Sequence, residues 1–120
     1  MSQPEAKPLA APLSKARRAG NLLFVSGQLP RNAEGQIVAG DIVVQTRQAL
    51  ANLQAVLTAN GAKLADVVKV TAWLTEPGYI DAFNGVYREW FAEPYPTRST
   101  VVSQLVAAAD VEIEAVAYLE

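Results

Sequence analysis

Residues 41–61 constrain what this chain of 120 residues can fold into more than any other segment. Val44, Ala49, Leu50, Leu53, Val56 and Leu57 recur at three- and four-residue spacings, which lays an apolar stripe along one side of a helix over residues 41–59. Asp41 offers a side-chain oxygen to the unpaired amides of the first turn, and Asn60-Gly61 ends the helix with a residue that takes positive φ freely. A stripe of that length cannot stay in water, so a flat apolar partner must cover it.

Strand patterns elsewhere supply that partner. Residues 67–74 set Val68, Val70 and Ala72 against Val67, Lys69, Thr71 and Trp73. Residues 111–119 place Val111, Ile113, Ala115, Ala117 and Leu119 on one face, and Glu112, Glu114, Val116 and Tyr118 on the other. Residues 13–18 and 21–26 flank Ala19-Gly20 and read as a β-hairpin, while Leu22-Leu23-Phe24-Val25 suits a strand covered on both faces. A short strand at residues 36–38 is also expected. Ile80, Phe83, Val86, Tyr87 and Trp90 give a second helix over residues 79–91, its aromatic stripe serving as core. Residues 98–105 form a further strand, joined by the small-residue link 106–110 to the last one. The order β-β-α-β-α-β-β is an α+β pattern with both helices on one sheet face. Residues 13–120 are expected to form a single domain. Residues 1–12, rich in Pro and Ala, read as a flexible tail and not as a signal peptide.

Composition narrows the chemistry. Half of the chain is hydrophobic (51%), a surplus that suits apolar surface covered by another subunit and equally a rich single core. The chain has no cysteine and no histidine, which excludes disulfides, thiolate nucleophiles, imidazole bases and Cys/His zinc sites. Catalysis would have to run on carboxylates, arginine, lysine, hydroxyls, backbone groups and water. A net charge of −2 argues against a nucleic-acid surface, which needs clustered Lys and Arg. No apolar run is long enough to suggest a membrane span. A cytoplasmic protein that uses no cofactor and no metal is expected.

The chemistry-bearing segment is Tyr95-Pro96-Thr97-Arg98-Ser99-Thr100-Val101-Val102. A guanidinium is a planar fork of donors that fits a carboxylate at two points. Strand alternation puts Arg98, Thr100 and Val102 on one side, so Arg98 among small hydroxyl residues is a candidate anion receptor. Spacing alone leaves an ordinary ion pair at the rim open beside it. Glu112 and Glu114 are candidate carboxylates, or simply solvated ones. If strands 98–105 and 111–119 form an antiparallel pair, their first residues lie at opposite ends. An Arg98–Glu112 contact would then need another pairing or another subunit.

The chain resembles the Rid family (YjgF/YER057c/UK114), the reactive imine and enamine deaminases. The likeness runs through Arg18-Ala19-Gly20-Asn21, Phe24-Val25-Ser26-Gly27-Gln28, Gln45-Thr46-Arg47-Gln48-Ala49-Leu50, Asp66-Val67-Val68-Lys69-Val70-Thr71, Phe83-Asn84-Gly85-Val86-Tyr87, Pro94-Tyr95-Pro96-Thr97-Arg98-Ser99-Thr100-Val101 and Val111-Glu112-Ile113-Glu114-Ala115. It implies a chorismate-mutase-like subunit of the Bacillus type, with a mixed sheet, two helices on one face, and a homotrimeric barrel leaving clefts between neighbours. It further implies hydrolytic deamination of 2-imino and 2-enamino acids to keto acids and ammonia. Arg98 would grip the substrate carboxylate, Glu112 would handle protons through a water on the Thr100 carbonyl, and Ser26, Gly27, Asn84 and Leu13 would line the cleft. A glutamate beside an arginine is expected to stay ionised. Leu13 stands where the family's deaminases usually carry tyrosine, and the link before the last strand lacks the usual Leu-Pro-Lys. Those departures keep two alternatives open: a non-catalytic trimeric binder of small carboxylates, and a deaminase for a dedicated, aminomuconate-like enamine. An endoribonuclease reading attaches to some family members, and the missing histidine and acidic balance disfavour it here.

Overall fold

In a computed structural model of the protein, residues 10–120 are described. Gly20, at φ 59°, reverses the chain between β1 (Ala16–Ala19) and β2 (Leu22–Gln28), which pair antiparallel with Ala19 opposite Leu22. The long helix α1 (Ile42–Ala59) starts where Asp41 accepts a 3.0 Å hydrogen bond from the Val44 amide. It stops where Gly61 turns to φ 77° and the Ala62 amide bonds back to Leu57. Then come β3 (Val67–Leu74), α2 (Ile80–Trp90), β4 (Thr97–Val102) and β5 (Val111–Tyr118).

The sheet order is β1-β2-β5-β3-β4. β5 lies antiparallel to both β2 and β3, whereas β3 and β4 run parallel with α2 as their crossover. The last two strands are therefore not a hairpin: β3 sits between them. A short link such as residues 103–110 can carry the chain across one strand, which sequence spacing does not distinguish from a direct turn.

Leu50, Leu53 and Leu57 of α1 and Phe83 of α2 are fully buried against Val70, Ala72, Val111 and Ile113 of the sheet. Each buried aliphatic side chain contributes about 1.5–3 kcal/mol. Val44 is a correction: it is 43% exposed. At about 100° per residue it points away from the Thr46–Leu50–Leu53–Leu57 side, and Ile42, Gln45 and Thr46 take the buried positions. In β3 an irregularity between Val67 and Lys69 shifts the alternation, so Val68 lies exposed while Val70, Ala72 and Leu74 face the helices. The expected strand at residues 36–38 reduces to one bridge between Arg31 and Ile37, and β4 ends at Val102. The tail expected over residues 1–12 lies outside the described residues as far as residue 9. Among the described residues, no helix is long and apolar enough to cross a membrane.

Buried Gln45 ties the start of α1 to the start of β5. Its Nε2 donates to the Gly40 carbonyl and to Asp110 Oδ2, both at 3.0 Å, and its Oε1 accepts from the Asp110 amide at 2.8 Å. Thr75 donates to the other Asp110 oxygen at 2.8 Å.

Candidate functional site

Arg98 lies on the helix-bearing face, because its strand partner Val70 is one of the residues buried beneath the helices. β4 is an edge strand, so the side chain reaches α2 without entering the core. Its Nη2 donates to Asn84 Oδ1 at 2.7 Å. The guanidinium carbon stands 4.7 Å from the Tyr87 ring centre and 5.2 Å from that of Phe83. Spaced by four residues on one helix, those rings form a shelf under the cation. The helical aromatic stripe is thus core on one side and a support for Arg98 on the other. Sequence periodicity revealed the stripe but not this second use, which needs the strand opposite. The Tyr87 hydroxyl is buried without a hydrogen-bond partner among the described residues, and burial raises its pKa while Arg98 pulls it back. Asn84, Tyr87, Arg88, Tyr95, Pro96 and Arg98 together line a recess of about 340 Å³. Thr100 is half-buried on the same face of β4.

Glu112 points the other way. It pairs with Trp73 on the open face of the sheet, between Val111 and Ile113, which face the helices. Three residues along and two strands across separate its Cα from that of Arg98 by about 14 Å, with the sheet between the side chains. One chain therefore does not bring Arg98 and Glu112 together. Nor does Arg98 hold the Glu112 carboxyl ionised, as expected above. Burial raises the Glu112 pKa, and the neighbouring Glu114 raises it further.

Glu112 does meet Gly27. A methyl group at Gly27 would sit 3.0 Å from Glu112 Cδ and closer still to Oε2, so glycine leaves room for the carboxylate. The close approach falls where β2 slips register between Val25 and Gln28. Ser26 donates from Oγ to the Ser14 carbonyl at 2.6 Å, which leaves its lone pairs free to accept. Leu13 is 64% exposed and lines the neighbouring recess with Ser26 and Gly27. The residues singled out from the sequence thus fall into two groups, Arg98–Asn84–Thr100 on one face and Glu112–Gly27–Ser26–Leu13 towards the other.

The sequence profile of the family described as Endoribonuclease L-PSP matches residues 4–119. The chain belongs to the Rid family. A RutC family protein of Pyrococcus horikoshii is 47% identical over 116 residues, covering 95% of this chain and 91% of the relative. The 2-iminobutanoate/2-iminopropanoate deaminase of Dermatophagoides farinae is 39% identical over 122 residues, covering 100% and 95%. Among solved structures, RidA from the Antarctic bacterium Psychrobacter sp. superposes with a TM-score of 0.87 at 34% identity, covering 95% and 94%. Escherichia coli TdcF with bound serine superposes at 0.85 and 33%, covering 96% and 94%. The mixed five-stranded sheet with its two helices is thus the fold of the Rid proteins.

Proposed function

We propose that this Rid protein hydrolyses 2-imino and 2-enamino acids to 2-oxo acids and ammonia, in clefts formed between copies of the chain in a cytoplasmic homotrimer. The observation that carries the reading is Arg98: a half-buried cation held by a neutral acceptor and two rings, with no carboxylate attached among the described residues. Such a cation is free to take an acid group by charge-assisted bonds. The opposite placement of Glu112 supports a shared cleft, since only a second copy can bring a Gly27–Glu112 face up to an Arg98 recess. A relative bears the name of an imine deaminase, and a structural neighbour carries an amino acid.

The chemistry needs little beyond orientation and proton transfer. Arg98 fixes the substrate carboxylate, with Asn84 holding the fork. An enamine first takes a proton at the carbon beyond C2 and becomes the protonated imine, C=NH2+. Water, held by the Thr100 carbonyl, adds its oxygen to C2 of the C=N bond while Glu112 accepts its proton. The carbinolamine nitrogen takes that proton back, the C–N bonding pair leaves with ammonia, and the hydroxyl gives its remaining proton to the freed Glu112 carboxylate as the C=O bond forms. A carboxyl whose pKa is raised by burial holds a proton more readily than an ordinary carboxylate does, which suits a group that must accept one and return it. Ser26 lone pairs accept from the departing N–H group.

The test couples an amino-acid oxidase, which makes 2-iminobutanoate in place, to measured ammonia release. Wild type should accelerate release and Arg98→Ala should not. Equal rates with and without protein would overturn the reading. Leu13 favours a second reading, a trimer that binds small carboxylates without turnover, because it brings no hydroxyl to the Ser26 side. Ligand-dependent melting shifts without ammonia release would support that one, and Leu13→Tyr would then be expected to gain activity.

A further inference from the structure

We infer that the Arg98 recess takes substrates with two acid groups, the 2-imino or 2-enamino dicarboxylic acids, and that Arg88 holds the distal carboxylate. The inference rests on the carboxylate-gripping role of Arg98 and adds a residue and a substrate class to it. Arg88 lines the same recess as Arg98. Among the described residues no acidic side chain lines it, and the other contributors are Asn84, Tyr87, Tyr95 and Pro96. Among the described residues the salt bridge is Arg47 to Glu89, so neither arginine of the recess has an ion-pair partner. Arg88 also makes no side-chain hydrogen bond there, whereas its neighbour Glu89 turns to α1. Two unpaired guanidinium groups around one concavity repel each other until an anion arrives, and a dianion relieves both.

The spacing fits. Arg88 follows Asn84 by four residues, so it rises from the same side of α2 about 6 Å beyond the residue that grips Arg98. An acid group bonded to Arg98 at one end would present a second acid, a few carbons away, to Arg88. Aromatic walls at Tyr87 and Tyr95 flank the carbon chain between them. The reaction is unchanged: water adds at C2, ammonia leaves, and the distal carboxylate takes no part in bond making.

The experiment compares 2-oxoglutarate with its distal methyl ester, which keeps the open chain and removes the second charge, by calorimetry on the full-length protein. Wild type should bind the diacid about three- to tenfold more tightly, the range from an exposed ion pair to a partly desolvated charge-assisted bond. In Arg88→Met the ratio should fall to near one, and Arg88→Lys should restore part of it. Arg88 is exposed, so the variants test binding and not folding. A wild-type ratio near one, or a ratio that survives in Arg88→Met, overturns the role of Arg88 while leaving that of Arg98 intact. Failure of wild type to bind either compound overturns the carboxylate site as a whole.

Discussion

The shelf beneath Arg98 makes a quantitative prediction about non-additivity. Each ring contributes about 1 kcal/mol to holding the guanidinium, between the exposed and desolvated limits for cation–π contacts. The 2.7 Å bond to Asn84 contributes about 2 kcal/mol, as a hydrogen bond from a charged donor. Against these stands about 2 kcal/mol of arginine rotamer entropy. The balance of about 2 kcal/mol keeps the gripping pose populated at about 97%. Tyr87→Leu removes one ring and lowers that population only to about 84%, whereas Asn84→Ala lowers it to about 50%. Removing both leaves about 16%, because the entropy is then no longer offset. Apparent affinity scales with the competent fraction. Tyr87→Leu should therefore weaken binding of 2-oxobutanoate by about 1.2-fold in the wild-type background and about threefold in the Asn84→Ala background. Comparing the two steps cancels any direct contact that Asn84 makes with the ligand. Calorimetry on the four proteins, each held well below its melting temperature, measures the cycle. Equal steps in the two backgrounds would refute the shelf, and so would a tenfold loss from Tyr87→Leu alone.

Three further outcomes follow from other contacts. Gly27→Ala must push the Glu112 side chain aside, so ammonia release should drop by tenfold or more while the melting temperature moves little; unchanged turnover would separate Glu112 from the reaction. The raised pKa of Glu112 means that the folded state binds more protons than the unfolded one between the ordinary carboxylate pKa and the raised value. Stability therefore falls as pH rises through that window, and Glu112→Gln should melt higher than wild type at pH 7, with the gap closing below the ordinary carboxylate range. Gln45→Leu leaves the Asp110 amide and the Oδ2 of its carboxylate without partners at a cost of about 3 kcal/mol, which for a domain of this size lowers the melting temperature by roughly 12 °C. A loss below a few degrees would show that water replaces the Gln45 amide.

Much of this architecture was legible because each element carries its own signal. Asp41 and Asn60-Gly61 bracket α1, Gly20 marks the hairpin, and the alternation of β5 separates Ile113 from Glu112. Pairing was less legible. Nothing in residues 98–119 says that β3 inserts between the last two strands, since partner choice depends on which faces the helices cover. The same ignorance hid the site. Arg98 and Asn84 were both singled out, but their 2.7 Å contact follows only once β4 runs parallel to β3 under α2. Arg88 gave no sequence signal beyond its four-residue spacing from Asn84. Val44 misled because an apolar residue on a helix is no guide to burial until the stripe's direction is fixed.

Because Arg98 and Glu112 project from opposite surfaces of one sheet, damage to each can be placed in separate copies. In the proposed ring, every working crevice draws its guanidinium from one chain and its carboxylate from the next. Coexpressing Arg98→Ala with Glu112→Gln, each silent alone, should therefore recreate intact junctions in mixed assemblies, about a quarter of the total for random mixing of equal amounts. Two dead proteins would make a live one.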